Sequence, residues 1–147
     1  MKIMRNIICI VLILLLTGCY SDSNVYHWEI YQVQSQIKGI YIVDAESPSK
    51  YEIINEISLE KSEELIKDIK KLDYKTYGRK RHTTSGMCFV IQFQNGEYDI
   101  ISYHEPMHVV WQGPNKDYPE KELKPRRSWL KCSKKEFDTL IEKYNID

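Results

Sequence analysis

Glycine is scarce in this chain, 6 in 147 residues, and nowhere do the glycines cluster into a phosphate-cradling loop. Nucleotide chemistry of the kind that relies on backbone amides in such a loop therefore has no support. Charge of one sign is not in excess either, since 21 Lys and Arg balance 21 Asp and Glu. A dedicated nucleic-acid binder carries a basic surplus, so nucleic acid is not an expected partner. No internal repeat or low-complexity tract is present, and no Ser/His/Asp set can be assigned the roles of a nucleophile, base and orienter. The longest apolar run, residues 7–16, falls well short of the roughly 20 residues needed to span a hydrocarbon core.

That run has a recognisable context. Lys2 and Arg5 precede it, and Leu16-Thr17-Gly18-Cys19 closes it, giving the three-part layout of an export signal. These residues resemble the leader of bacterial lipoproteins: Leu at the first position of the lipobox, a small Gly before the cut, and the Cys itself. The resemblance covers only this leader and implies cleavage after residue 18, a diacylglycerol thioether on Cys19 and further acylation of the new amine. It also implies an envelope location facing the periplasm or exterior, and Tyr20 after the cysteine is compatible with an outer membrane where the host has two. Two acyl chains anchor stably, whereas one holds only marginally.

Removing 18 residues leaves 147 − 18 = 129, enough for one domain. The leader takes two bases and no acid, so the mature side chains carry 19 − 21 = −2. Cys9 leaves with the leader and Cys19 is committed to lipid, which leaves Cys88 and Cys132. In an exported chain the pair fits a disulfide; equally, it fits two buried thiols acting as small hydrophobes.

The whole chain reads as three parts: a leader (1–18), a lipidated N-terminus with a short membrane-proximal segment (19–36), and one domain (37–147). Residues 25–33 are aromatic-rich; if they are ordered, the domain sits close to the bilayer. Residues 37–43 and 51–57 are strand-like around a Ser47-Pro48-Ser49 turn. Ser58 stands at an N-cap position, and Leu59, Leu65, Ile66, Ile69 and Leu72 recur at helical spacing. Acids early and bases late in that segment complement the helix dipole, so they read as solvated surface. Residues 87–93 are continuously β-prone, Asn95-Gly96 predicts a two-residue hairpin, and residues 98–103 return. A strand over 107–112, a long loop over 113–127, a short strand at Trp129-Leu130 and a capped helix from Ser133 complete the reading. The fold class is α+β, in the order ββαβββ(β)α: an antiparallel sheet of about five strands with two helices on one face.

His104-Glu105-Pro106-Met107-His108 matches the HExxH string of zinc proteases. That motif works because both histidines share one helical face, and Pro106 between strand-like flanks opposes a helix. The segment is expected to be a turn, with His104 and His108 as a weak metal alternative and no cofactor expected. Arg79, Lys80 and Arg81 form one basic cluster, and Arg126 with Arg127 another; both suit anionic headgroups or envelope polymers, or simply a solvated face. The 11 Tyr and 3 Trp serve either a binding platform or strand formation and core packing. The expectation is a lipid-anchored, non-enzymatic module that binds an envelope protein or an anionic envelope component. The alternatives are a small metal-dependent hydrolase on His104, Glu105 and His108, and an inhibitor or immunity-type lipoprotein.

Overall fold

Cys88, Phe89, Val90 and Ile91 are consecutive and all fully buried. A strand achieves that only at the middle of a sheet covered on both faces, which is why residues 87–93 do not alternate. A computed structural model describes residues 25–29, 36–47, 50–77, 85–109, 121–122 and 129–146. Their elements are β1 (Val25–Tyr26), β2 (Ile37–Ser47), β3 (Lys50–Ile57), α1 (Leu59–Lys70), β4 (Tyr74–Tyr77) and β5 (Gly86–Phe93). Then follow β6 (Tyr98–Ile101), β7 (Met107–Val109), β8 (Lys121–Glu122), β9 (Trp129–Lys131) and α2 (Lys134–Tyr144). The larger sheet runs β3-β2-β5-β6-β7-β8 and a smaller one β1-β4-β9, with every pairing antiparallel.

This is the expected α+β fold, with differences that have local causes. β4 lies in a stretch too short and polar to show a period. β8 falls inside the expected loop over 113–127 and pairs its backbone with β7. The hairpin is one residue longer than Asn95-Gly96 predicts: Phe93 N–H donates to Glu97 O at 2.9 Å, so three residues form the loop. Gly96 there takes φ +89°, the left-handed position that such loops reserve for glycine.

Both helices cover one face. From α1, Leu65, Ile66 and Ile69 enter the main core; from α2, Phe137, Leu140, Ile141 and Tyr144 do so. They meet Ile40, Ile42, Phe89, Ile91 and Ile101 of the sheet and Tyr74 and Leu130 of the smaller sheet. Phe89 packs edge-on against Phe137, with ring centroids 5.8 Å apart. Leu59 is not part of this stripe and stands 64% exposed. Lys143 of α2 reaches Glu64 and Asp68 of α1 at 2.6 and 2.7 Å. Ser133 caps α2 by accepting from Glu136 N–H at 3.5 Å, whereas Ser58 makes no side-chain cap bond for α1.

The second face of the larger sheet buries Val43, Ala45, Cys88, Val90, Ile100 and Val109. Tyr51 of β3 and Tyr98 of β6 meet edge-on there, centroids 6.1 Å apart. Two strands separate β3 from β6, so a flat sheet would hold them about 14 Å apart. The two rings therefore lean towards each other across β2 and β5. Register shifts in the β2–β3 pair, at Ile42/Val43 and Ala45/Ser47, supply bends of the kind bulges introduce.

The domain begins earlier than residue 37. β1 pairs with β4, and Trp28 just beyond it is 1% exposed within the main core. The boundary expected between a membrane-proximal segment and a domain at 36/37 is corrected by that burial: residues 25–29 belong to the fold.

Candidate functional site

β6 carries an acid where its neighbours are apolar. Asp99 is fully buried, and its register partners are Ile91 on β5 and His108 on β7, so all three face the helices. A buried Asp is rare without partners, and this one has two in the described residues. Trp28 Nε1–H donates to Asp99 Oδ2 at 3.2 Å, and His108 Nδ1 lies 2.6 Å from Asp99 Oδ1. The other ring nitrogen, His108 Nε2, lies 3.2 Å from Glu97 Oε2. His108 is fully buried, while the Glu97 side chain is 22% exposed beside the hairpin turn.

An Asp–His pair at this distance resembles the orienting half of a nucleophilic triad, but a catalytic base must offer its second nitrogen to a nucleophile. Here that nitrogen faces a carboxylate. The arrangement is a buried hydrogen-bonded link between the N-terminal segment, the hairpin and β7. Sequence reasoning missed Trp28, Glu97 and Asp99. The signal that could have found them is the pair of ionisable residues, Asp99 and His108, at inward-facing positions of two adjacent strands.

The HEPMH segment is not helical. His108 belongs to β7, and His104 sits in an isolated antiparallel bridge with Lys131, its ring 3.9 Å from that of Tyr103. The segment that carries His104 joins the two sheets. Tyr74 O–H donates to Ser102 O, Cys132 N–H donates to Tyr103 O at 2.8 Å, and Leu130 N–H donates to the buried Glu105 Oε1 at 3.3 Å. Three successive residues after β6, and Glu105 beyond them, thus stitch the larger sheet to β4 and β9. Glu105, the general base of the zinc-protease motif, here accepts a backbone hydrogen bond. Among the described residues no group of three or more His, Cys, Asp or Glu converges as a metal centre requires. His104 and His108, the weak metal alternative of the sequence, thus lie on different elements, one in the bridge to Lys131 and the other in β7.

Cys88 and Cys132 are free, buried thiols. They belong to different hydrophobic clusters, Cys88 on the second face and Cys132 in the main core. Of the two states open to the pair, the structure holds the unbridged one, with the sheet between them. Burial pushes both thiols up to about 12, helped at Cys88 by the charge of Asp44 and opposed at Cys132 by a hydrogen bond with Tyr74. Burial likewise raises the Tyr74 phenol well above its ordinary value.

One open cleft of about 400 Å³ lies between β4, β9 and the start of α2, lined in part by Asp73, Lys75, Lys131, Ser133 and Glu136. A smaller one of about 280 Å³, mostly acidic, sits on the β2–β3 hairpin beside Glu46 and Glu52. Cys19, the basic cluster Arg79, Lys80 and Arg81, and the second cluster Arg126 and Arg127 all lie outside the described residues. Among the described residues no helix is long and apolar enough to cross a membrane. Comparison with protein-family models, curated proteins and solved structures finds no match to this chain.

Proposed function

We propose that this chain is a lipid-anchored envelope lipoprotein whose α+β domain is a non-enzymatic binding module held close to the membrane. The observation that carries this reading is the join between the anchor motif and the fold. Val25, the first residue of β1, is the sixth after Cys19, and six extended residues reach only about 20 Å. Trp28 then locks the N-terminal segment into the core, so the tether cannot lengthen without loss of a buried aromatic side chain. A long flexible stalk, the usual means of reaching distant partners, has no room here.

The non-enzymatic part is supported by the roles of the three residues an HExxH hydrolase would need. His104 lies in the seam between sheets, Glu105 caps a backbone N–H, and His108 is held between two carboxylates. The partner class is an envelope protein or an anionic envelope component. Growth with an alkyne-tagged fatty acid tests the anchor: the wild-type chain is expected to take up label and to partition into detergent. Cys19→Ala should remain unlabelled. Equal labelling of the two chains, or of neither, would reject the lipoprotein reading.

A further inference from the structure

The open cleft of about 400 Å³ between β4, β9 and the start of α2 falls within the range of small-molecule sites, roughly 300–1,000 Å³. Its lining carries both signs of charge at two separate ends. Lys75 on β4 and Lys131 on β9 are register partners, so their backbones stand about 5 Å apart. Asp73 precedes Lys75 by two residues and Ser133 follows Lys131 by two; because the strands are antiparallel, both steps lead to the same end. Glu136, whose N–H donates to the Ser133 hydroxyl at 3.5 Å, lines the cleft with Asp73 there. Two residues of strand cover about 7 Å, which sets the spacing between the basic end and the acidic one.

The two ends do not close on each other. Lys75 and Glu136 make no ion pair among the described residues, and Asp73 has one such contact there, to His27 Nδ1 at 3.9 Å. Lys131 has further contacts of its own, so Lys75 is the group on which the basic end depends. All four side chains belong to exposed residues, and Thr76 and Ser133 add hydroxyls to the lining. Where opposite charges stand at a fixed spacing, a ligand carrying both in the reverse order satisfies the two ends at once. A singly charged ligand meets attraction at one end and repulsion at the other.

We infer that this cleft is a binding site for a small zwitterion, a molecule with one anionic group, held by Lys75, and one ammonium group, held by Asp73 and Glu136. An extended dipeptide belongs to this class, since its two residues span up to about 7 Å. So does the phosphoethanolamine headgroup of a lipid, which carries the same charges closer together. The site goes beyond the binding-module reading and does not depend on the lipid anchor. Under full solvent screening, an ionic contact near 4 Å is worth about fivefold in affinity, so each end contributes a modest and separable factor.

Isotope-labelled full-length protein in a neutral detergent is titrated with alanylalanine and with glycerophosphoethanolamine, and the amide resonances of Lys75, Thr76 and Ser133 are followed by NMR. Saturation in the millimolar range is expected with at least one of them, and the one that saturates identifies the source as peptide or headgroup. N-acetyl-alanylalanine keeps only the anion and alanylalanine amide only the ammonium; for the headgroup the matching pair is glycerol phosphate and ethanolamine. Each singly charged analogue should bind about fivefold more weakly than its parent. Lys75→Gln should weaken the parent and leave the ammonium-only analogue unchanged, whereas Glu136→Gln should weaken the parent and leave the anion-only analogue unchanged. Both substitutions fall on exposed residues, so resonances of the core should stay in place. The site is overturned by a singly charged analogue that binds as tightly as its parent, by a substitution that weakens both analogues alike, or by the absence of saturation with both zwitterions.

Discussion

Replacing Asp99 by Asn is the most direct test of the buried link. Asparagine keeps the shape and one acceptor oxygen, but it turns an amide N–H₂ towards either Trp28 Nε1–H or His108 Nδ1, both of which lie against Asp99 oxygens. One donor then meets another in a site with no exposed surface, and His108 loses its closer carboxylate. Breaking one side of a buried ion pair costs about 3–5 kcal/mol, against a net stability of order 5–15 kcal/mol for a domain. Removing both partners is a different matter, because no uncompensated charge stays behind. Asp99→Leu with His108→Leu leaves Trp28 N–H without its acceptor, at about 1–3 kcal/mol, while the partly exposed Glu97 can turn to water. The double variant should therefore cost at least about 2 kcal/mol less than the sum of the single ones. Equilibrium urea denaturation of the mature domain, followed by circular dichroism, gives all of these values. Single losses below about 1 kcal/mol that simply add would show that the Asp99–His108 contact is not a buried ion pair.

Glu105 separates the structural and hydrolytic readings of the HEPMH segment: Glu105→Gln retains an acceptor for Leu130 N–H and should leave the melting curve nearly unchanged, whereas Glu105→Ala should cost about 1–3 kcal/mol. Loss of a measurable hydrolase activity in the Gln variant with the fold intact would favour the enzyme instead. Although burial works the other way, hydrogen bonds from Lys143, Lys71 and Tyr144 hold the Asp68 carboxyl down at about 2. A carboxyl lowered in the folded state stabilises above its ordinary range near 3.8 and loses that contribution as pH falls through about 2. Asp68→Asn should thus cost about 1 kcal/mol or less at neutral pH, the pair being near solvent, and the difference should vanish towards pH 2; a gap that persists there would refute the assignment. Cys88 and Cys132, with thiols pushed up to about 12, should resist iodoacetamide at pH 8 in the folded protein and react promptly in urea without reductant. Reaction in urea only after reduction would demonstrate a disulfide.

Much of the fold was legible because its elements satisfy local rules. α2 shows a cap, a spaced apolar stripe and a terminus in sequence, and the structure reproduces each. β5 was visible as a continuous β-prone run, and its lack of alternation is explained by burial on both faces. β1, β4 and β8 were not legible, since strands of two to four residues carry no period and are made by their partners alone. Leu59 fits the helical spacing of α1 yet faces solvent, because spacing alone does not say which residues of a stripe find a partner. The Trp28–Asp99–His108–Glu97 link escaped notice for a similar reason: its members come from three separate segments and meet only through strand register. The HEPMH string misleads in the opposite direction, since its letters are local while the contacts of His104 and Glu105 are made with β9.

Trp28 finds its acceptor 71 positions along the chain, and Asn55 reaches the carbonyl of Tyr144, 89 positions away. A polypeptide that emerges N-terminus first thus has its earliest strand waiting while almost everything it pairs with is still to come. Closures between such distant segments are the slow events of folding. Trp28 therefore waits for its acceptor until residue 99 has been made, and a chain that stops before β6 leaves that indole N–H without Asp99.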